Sequence, residues 1–412
     1  MKPFAAVLAA LPPRRELRSL IRLALPIVAV QVGLMFMGVV DTLMVGRVSA
    51  AALAAVALGN LYFFFIAIFG MGTLFALDPV VSQAVGARDD EAIARAVQRG
   101  LVLAGALTLL SLIPLLPVES IITVLRQPPD VVPLATGYVH AATPGILAFF
   151  GFVVLRQTLQ AMDRVRPIVV AIIAANLVNV LVNWLLVFGH WGFPEMGPVG
   201  TGWASTFSRW TMLLFLAALT LRRLGPYLRP AGWVVLRPRP LWRMLRLGAP
   251  VGAQFQLEMG AFAVVALMMG WLGTAQMAGH QVAINLASLT FMVPVGIAQA
   301  GAIRVGQAVG RDDPAGARVA VKSALVAGAG FMSMTAVLFL AFPGSLTHLY
   351  TEEPEVVAVA VALIPIAGVF QVADGLQVVS AGVLRGVGDT TAPFVANLLA
   401  FWMVGIPVGV WL

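Results

Sequence analysis

QAVGARDD, residues 83–90, returns as QAVGRDD at residues 307–313. The two segments start 224 positions apart, and each closes a long apolar run before a charged stretch. A fainter pair stands at nearly the same offset, 225 to 226: LQAMDRVRP at 159–167 and LRGVGDTTAP at 384–393. Two matches at one spacing, each at the same place in its half, read as an internal duplication.

The residues between these anchors decide what is duplicated. The chain is 60% hydrophobic and 11% charged, with a mean hydropathy of +0.95. A soluble protein carries about 25% charged residues, and disorder needs low hydrophobicity with high charge. The apolar runs are long and continuous, unlike the ~10-residue alternating segments of an outer-membrane barrel. A membrane helix takes ~20 apolar residues. Eleven runs meet that length: 21–45, 51–78, 96–117, 133–155, 167–189, 200–221, 247–271, 276–303, 319–342, 356–384 and 391–412. An Arg- and Pro-rich stretch, 222–246, separates the sixth from the seventh.

The expected fold is an all-α polytopic membrane protein built as two six-helix lobes. The divisions are an N-terminal segment 1–20, read as a helix on the membrane surface, a first lobe 21–221, an inter-lobe linker 222–246 and a second lobe 247–412. Six spans per repeat is an even number. Both repeats therefore run the same way, related by a pseudo-two-fold axis along the membrane normal. The offset implies a twelfth helix beyond these 412 residues.

Charge sets the orientation. With the N-terminus cytoplasmic, 23 of the 26 Lys and Arg face the cytoplasm: those up to Arg22, and those at 88–99, 156–166, 222–246, 304–322 and 385. Arg47 and Arg126 fall outside, and Arg209 lies within a span. This positive-inside bias explains a pI near 10.9 without nucleic acid. There is no cysteine, no Gly-Lys-Ser/Thr phosphate loop and no HExxH, so thiol chemistry, ATP hydrolysis and a zinc hydrolase site have no residues to carry them. Asp89, Asp90 and Glu91, like Asp312 and Asp313, lie just beyond helix ends and read as solvated loop acids.

Four acids fall inside or beside spans: Asp41, Asp78, Glu258 and Asp374. A charge at a helix centre costs ~2.5–3.5 kcal/mol on insertion scales, so such residues are functional candidates. Asp78 precedes Pro79 near a span end and is expected to reach water. The others have polar neighbours at helical spacing: Gln254 one turn before Glu258, with Gln371 and Gln377 flanking Asp374. The repeat supplies a control, because the corresponding positions in the other half are Val265, Leu34 and Phe149. Asn176, Asn179 and Asn183 share one face of the fifth span, either gluing helices or lining a wet cavity. A structural alternative is pairing of an acid with Arg209.

The chain resembles the MATE (multidrug and toxic compound extrusion) transporters, in their NorM-like branch. The carrying segments are EMGAFAVVALMMGWLG at 258–273, AGHQVAINLASLTFMVP at 278–294, IRVGQAVG at 303–310 and QVADGLQVVSAGVLRG at 371–386. In the first half they are Asp41 with MVG at 44–46, NVLVNW at 179–184 and PVGTGWAS at 198–205. The resemblance implies twelve helices in two lobes about a central cleft, exchanging Na⁺ or H⁺ for organic, often cationic, drugs. It implies a second-lobe cation site, Na⁺ or H⁺, at Glu258 and Asp374. In the first lobe it implies an acid, Asp41, surrounded by Asn179, Asn183 and Thr201. Phe291 stands where some relatives have a tyrosine near the cation. Gln254 and Gln371 are the nearest candidates for further oxygen ligands. Met35, Met37, Met44 and Phe63 to Phe65 could line an adaptable apolar surface.

The expected function is a Na⁺- or H⁺-coupled multidrug efflux antiporter, not an enzyme, without a cofactor. It is expected to be multi-pass in the cell inner membrane, in contact with lipid, and monomeric. Two alternatives are a lipid-linked oligosaccharide flippase of the same superfamily, which calls for a more cationic cavity, and a membrane-embedded enzyme, which lacks metal and nucleophile motifs here.

Overall fold

A computed structural model describes residues 12–229 and 232–411. Among these residues the regular structure is helical, with no strand. The helices are α1 (Arg14–Val45), α2 (Ala50–Leu74), α3 (Leu77–Ala87), α4 (Asp90–Leu115), α5 (Val118–Val124), α6 (Val131–Ala142), α7 (Gly145–Ala161), α8 (Arg166–Phe188) and α9 (Pro198–Leu228). Then follow α10 (Pro238–Leu272), α11 (Thr274–Gly310), α12 (Pro314–Ala341), α13 (Pro343–His348) and α14 (Pro354–Val387). The last, α15, covers Thr391–Trp411 and is π-wound over Leu398–Gly405.

Ten of these stretches are long and apolar enough to cross a membrane, α2 and α3 counting together. An eleventh is added if α6 and α7 form one span. That pair is bent by 47° where the expected span 133–155 was read as continuous. The break falls at Thr143 and Pro144. Proline removes a backbone donor and its ring clashes one turn back. The corresponding helix of the second repeat, α14, carries Pro365 and stays continuous.

The two repeated motifs make the same turn. Arg88 and Asp312 both adopt left-handed backbone, at φ 57° and 53°. In each case the next amide reaches back to a helix carbonyl, Asp89 N to Ala84 O and Asp313 N to Ala308 O, both at 3.0 Å. This is the six-to-one closure of a helix C-terminus. Asp89 and Asp313 then cap the following helices, accepting from Ala92 N and Gly316 N at 2.8 Å. The fainter pair repeats the pattern: Asp163 and Gly388 are left-handed, with bonds from Arg164 N to Leu159 O and Asp389 N to Leu384 O.

The chain divides into two compact units, Ala29–Ala253 and Gln254–Leu412 together with the residues up to Val28. The sequence reading placed the lobes at 21–221 and 247–412. The division falls instead inside helices, because α1 and α10 run unbroken through the expected boundaries. The helix of the 1–20 segment starts at Arg14 and continues as the first span, while residues 1–11 lie outside the described residues. Helix also extends into 222–246 from both ends, to Leu228 and from Pro238.

Within the Ala29–Ala253 unit, α9 packs along α6, α7 and α8, and α2 against α6. The start of α10 approaches α2 so closely that a Cβ on Gly248 would lie 1.9 Å from the Thr73 carbonyl oxygen. In the other unit α14 packs along α11 and α12. There the start of α1 lies against α11, where a Cβ on Gly296 would meet Val28 at 2.4 Å. Val282, Ala283, Leu286, Phe339, Ala360 and Ile364 form part of that unit's core.

Candidate functional site

Asp41 lies near the end of α1 and is buried, 6% exposed. Its Oδ1 accepts from Asn179 Nδ2 at 3.0 Å and Asn183 Nδ2 at 2.7 Å. Its Oδ2 accepts from Ser205 Oγ at 3.0 Å. The two asparagines sit one turn apart on α8, and Asn183 Nδ2 also donates to Asn179 O at 3.0 Å. Three neutral donors hold this buried carboxylate, and the charge of Arg209 bears on it without forming an ion pair among the described residues.

Arg209 does not form an ion pair with Asp41 among the described residues. Its Nη1 donates to Ala142 O at 3.2 Å, and its guanidinium lies 4.0 Å from the centroid of Phe63. Thr201, expected beside Asp41, is fully buried, but its hydroxyl has no hydrogen-bond partner among the described residues. Ser205, one turn further along α9, takes that place. Ser205 closes the PVGTGWAS segment at 198–205 but was not read as a partner of Asp41, because serine in a membrane helix usually bonds its own helix, as Ser208 does to Ala204 O at 2.7 Å.

Glu258, on α10, belongs to the other unit. Its Oε2 accepts from Asn397 Nδ2 at 3.4 Å, and Asn397 Oδ1 accepts from Gln377 Nε2 at 2.7 Å. Asp374 is half-buried on α14, close enough for its charge to bear on Glu258. Gln371 Oε1 accepts from Thr290 Oγ1 at 3.2 Å and Thr335 Oγ1 at 3.4 Å. Its Nε2 is buried without a partner among the described residues. Gln254 is buried one turn before Glu258, and Phe291 is half-buried next to Thr290.

Asn397 escaped the sequence reading because it is one amide in an otherwise apolar run. It stands where α15 changes from α to π winding, a change common at functional positions. Trp402 fixes this stretch to α10 by donating Nε1 to Leu257 O at 2.9 Å. The carboxylates of Glu258 and Asp374, with the Asn397 amide bonded to Glu258, are groups that suit a hard monovalent cation or a proton.

Asp78 departs from expectation. It is buried, 3% exposed, and accepts from Gln157 Nε2. Arg156, read as part of a loop at 156–166, lies inside α7 and is 1% exposed. Both fall near the ends of apolar runs, where a charge usually reaches water by snorkelling. Here α3 and α7 pack together over them.

The MatE family model matches residues 26–185 and again residues 250–411. The matches begin 224 residues apart, the spacing of the repeat. The multidrug resistance protein NorM of Photobacterium profundum is 37% identical over 400 residues, covering 96% of this chain and 87% of that protein. Solved structures with the same fold include the eukaryotic MATE transporter AtDTX14, at a TM-score of 0.84 and 22% identity over 96% of this chain and 88% of that one. The Vibrio cholerae MATE transporter VcmN, in a mutant form, matches at 0.86 and 18% identity over 95% of this chain and 89% of that one. With one family model matched in both halves and a relative this similar along nearly the whole length, the chain belongs to the MATE transporter family, in its NorM-like branch.

Proposed function

We propose that this multi-pass membrane protein is an antiporter that exports organic, often cationic, compounds in exchange for Na⁺ or H⁺. The observation that carries the reading is Asp41: an acid buried among membrane helices, hydrogen-bonded by Asn179, Asn183 and Ser205 and in no ion pair among the described residues. A carboxylate so placed can gain and lose a cation without breaking an ion pair. Glu258 and Asp374 supply a second such place, with the Asn397 amide bonded to Glu258. The relatives are transporters, not enzymes. The protein works as a monomer in the cell inner membrane with its N-terminus cytoplasmic.

Ion binding from outside neutralises the carboxylates and changes which arrangement of the protein is stable. Drug taken from the cytoplasm or inner leaflet displaces the ion, and export follows. One elementary charge crossing 100 mV supplies ~2.3 kcal/mol, roughly 50-fold in accumulation. Ion and drug must then weaken each other's binding by the same factor.

The test is drug efflux from proteoliposomes under an imposed Na⁺ gradient and, separately, a pH gradient. One of the two should drive efflux in the wild type. Asp41→Asn, and the pair Glu258→Gln with Asp374→Asn, should keep drug binding and lose at least tenfold of the ion-driven rate. Efflux with normal ion dependence in all of these variants would remove the acids from the mechanism.

A further inference from the structure

Three arginines line one cavity in the Ala29–Ala253 unit, a cavity that Asp41 does not line. It measures about 590 Å³ and lies among α3, α4, α7 and α9, which pack on one another. Arg88 follows the end of α3, Arg164 follows the end of α7, and Arg223 stands in the closing turns of α9. The floor is apolar: Ile93, Leu159 and Leu224 line the same space and are buried.

The arginines are unspent within the protein. All three are exposed. Among the described residues none of them forms an ion pair or donates a side-chain hydrogen bond, in contrast to Arg95, Arg99, Arg209 and Arg304. The one acid in the lining, Asp90, already accepts from Tyr227 Oη at 2.9 Å. Like charges around one cleft repel each other and focus a positive potential inside it. An anion in the cavity relieves that repulsion.

Scaffold roles account for the three less well. The orientation of a membrane protein asks for arginine in cytoplasmic loops, not for arginines from three separate connections around one gap. Cations also suit helix C-termini, but none of these guanidinium groups is bonded to a terminal carbonyl. Nor do the turns need them. In the second repeat Asp312 holds the left-handed place of Arg88, and Asp389 donates the closing amide bond that Arg164 donates in the first. The same two turns therefore close on acids.

The chemistry of the lining selects the ligand. Guanidinium groups bind phosphate through paired N–H donors. Three stretches long and apolar enough to cross a membrane have ends here, the end of Ala50–Ala87, the start of Asp90–Leu115 and the end of Pro198–Leu228, which puts the cavity at head-group depth. A basic pocket between membrane helices suits the phosphate of an anionic lipid. The volume falls among those of small-molecule sites, ~300–1,000 Å³, and exceeds what a bare phosphate ion fills.

We propose that this cavity binds a phosphate group through Arg88, Arg164 and Arg223, above the apolar floor of Ile93, Leu159 and Leu224. A phospholipid head group and a soluble phosphate share that chemistry. The site lies within one unit and does not depend on the ion-coupled reading above.

The experiment follows the melting temperature of the full chain in detergent as phosphatidylglycerol is titrated into the micelles. Phosphatidylcholine and, at matched ionic strength, inorganic phosphate are titrated in parallel. Wild type should gain stability saturably with phosphatidylglycerol and not with phosphatidylcholine. In Arg88→Gln/Arg164→Gln/Arg223→Gln the half-saturating amount should rise at least tenfold. The charge-matched control Arg239→Gln/Arg243→Gln/Arg246→Gln, outside the lining, should stay within threefold of wild type. A gain from phosphatidylglycerol alone, lost in the cavity variant, identifies a lipid head group. The same loss for a gain that inorganic phosphate also gives identifies a soluble source. No gain from either probe would overturn the proposal. So would a gain that the cavity variant keeps, or one that the control loses equally. Should the triple cavity variant fail to fold, Arg164→Gln decides alone: a half-saturating amount raised at least threefold supports the site, and an unchanged one overturns it.

Discussion

Ser205 and Thr201 sit one turn apart on α9, both buried, yet only Ser205 reaches the Asp41 carboxylate. A hydrogen bond to a charged group contributes about 1.5–3 kcal/mol. Ser205→Ala should therefore change the ion concentration that half-saturates efflux by roughly tenfold. Thr201→Val removes a hydroxyl with no partner and should leave that concentration within about twofold. The reverse order of effects, measured in the same proteoliposomes, would return Thr201 to the role the family resemblance gave it. In the other unit Asn397→Leu removes the one amide bonded to Glu258 and leaves Gln377 without its acceptor. It should weaken ion-driven efflux more than drug affinity. Asp41 was legible in sequence because an acid in a span is costly; the amides at i, i+3 and i+7 read only as helix glue or a wet cavity, and the family resemblance put Asn179 and Asn183 beside Asp41. Ser205 and Asn397 were not legible, because single small polar residues are ordinary in membrane helices. Asp78 and Arg156 were misread because a charge near the end of an apolar run normally reaches water, and only tertiary packing prevents it.

Between consecutive helices, the repeated motif closes one helix and caps the next. Replacing an N-cap acid by alanine costs about 1 kcal/mol. Asp89→Ala and Asp313→Ala should each lower stability by that amount, and the double variant by the sum, since the caps sit in separate turns. Gly248 makes a sharper case. A Cβ there would stand 1.9 Å from a backbone oxygen of α2, which no rotamer change can relieve. Gly248→Ala should cost at least ~1–3 kcal/mol, whereas Gly105→Ala, with nothing within 4 Å, should be neutral or stabilising because alanine favours helix. Thermal melts of the two variants in one detergent check the contrast; equal melting temperatures would mean that α10 does not pack on α2 this closely. The eleven apolar runs were readable from length and composition alone. The bend at Pro144 was not, because its flanks are as apolar as an unbroken span. The reach of helix into 222–246 was hidden by arginines and prolines that suit helix ends as well as loops.

For the molecule as a whole, the distribution of charge makes a prediction about sidedness. Arg156 is buried and drops out of the cytoplasmic set, but the remaining bias is still heavily one-sided, with Arg47 and Arg126 opposite. Short loops rich in Lys and Arg stay cytoplasmic. A parallel duplication places both repeated turns on that same face, whereas an inverted one would place them on opposite faces. The chain contains no cysteine, so each introduced thiol reports on its own position. Ala87 and Ala315 are exposed beside the first and second repeated turns, and Asp130 and Glu195 are exposed in connections one span away from a cytoplasmic loop. A membrane-impermeant maleimide applied to intact cells should label Asp130→Cys and Glu195→Cys and spare Ala87→Cys and Ala315→Cys. Inverted vesicles should give the opposite pattern. The two turn positions are the decisive pair: label on one and not the other, in either preparation, would mean that the repeats are inverted. Label on both from outside would mean that the chain inserts against its charge bias.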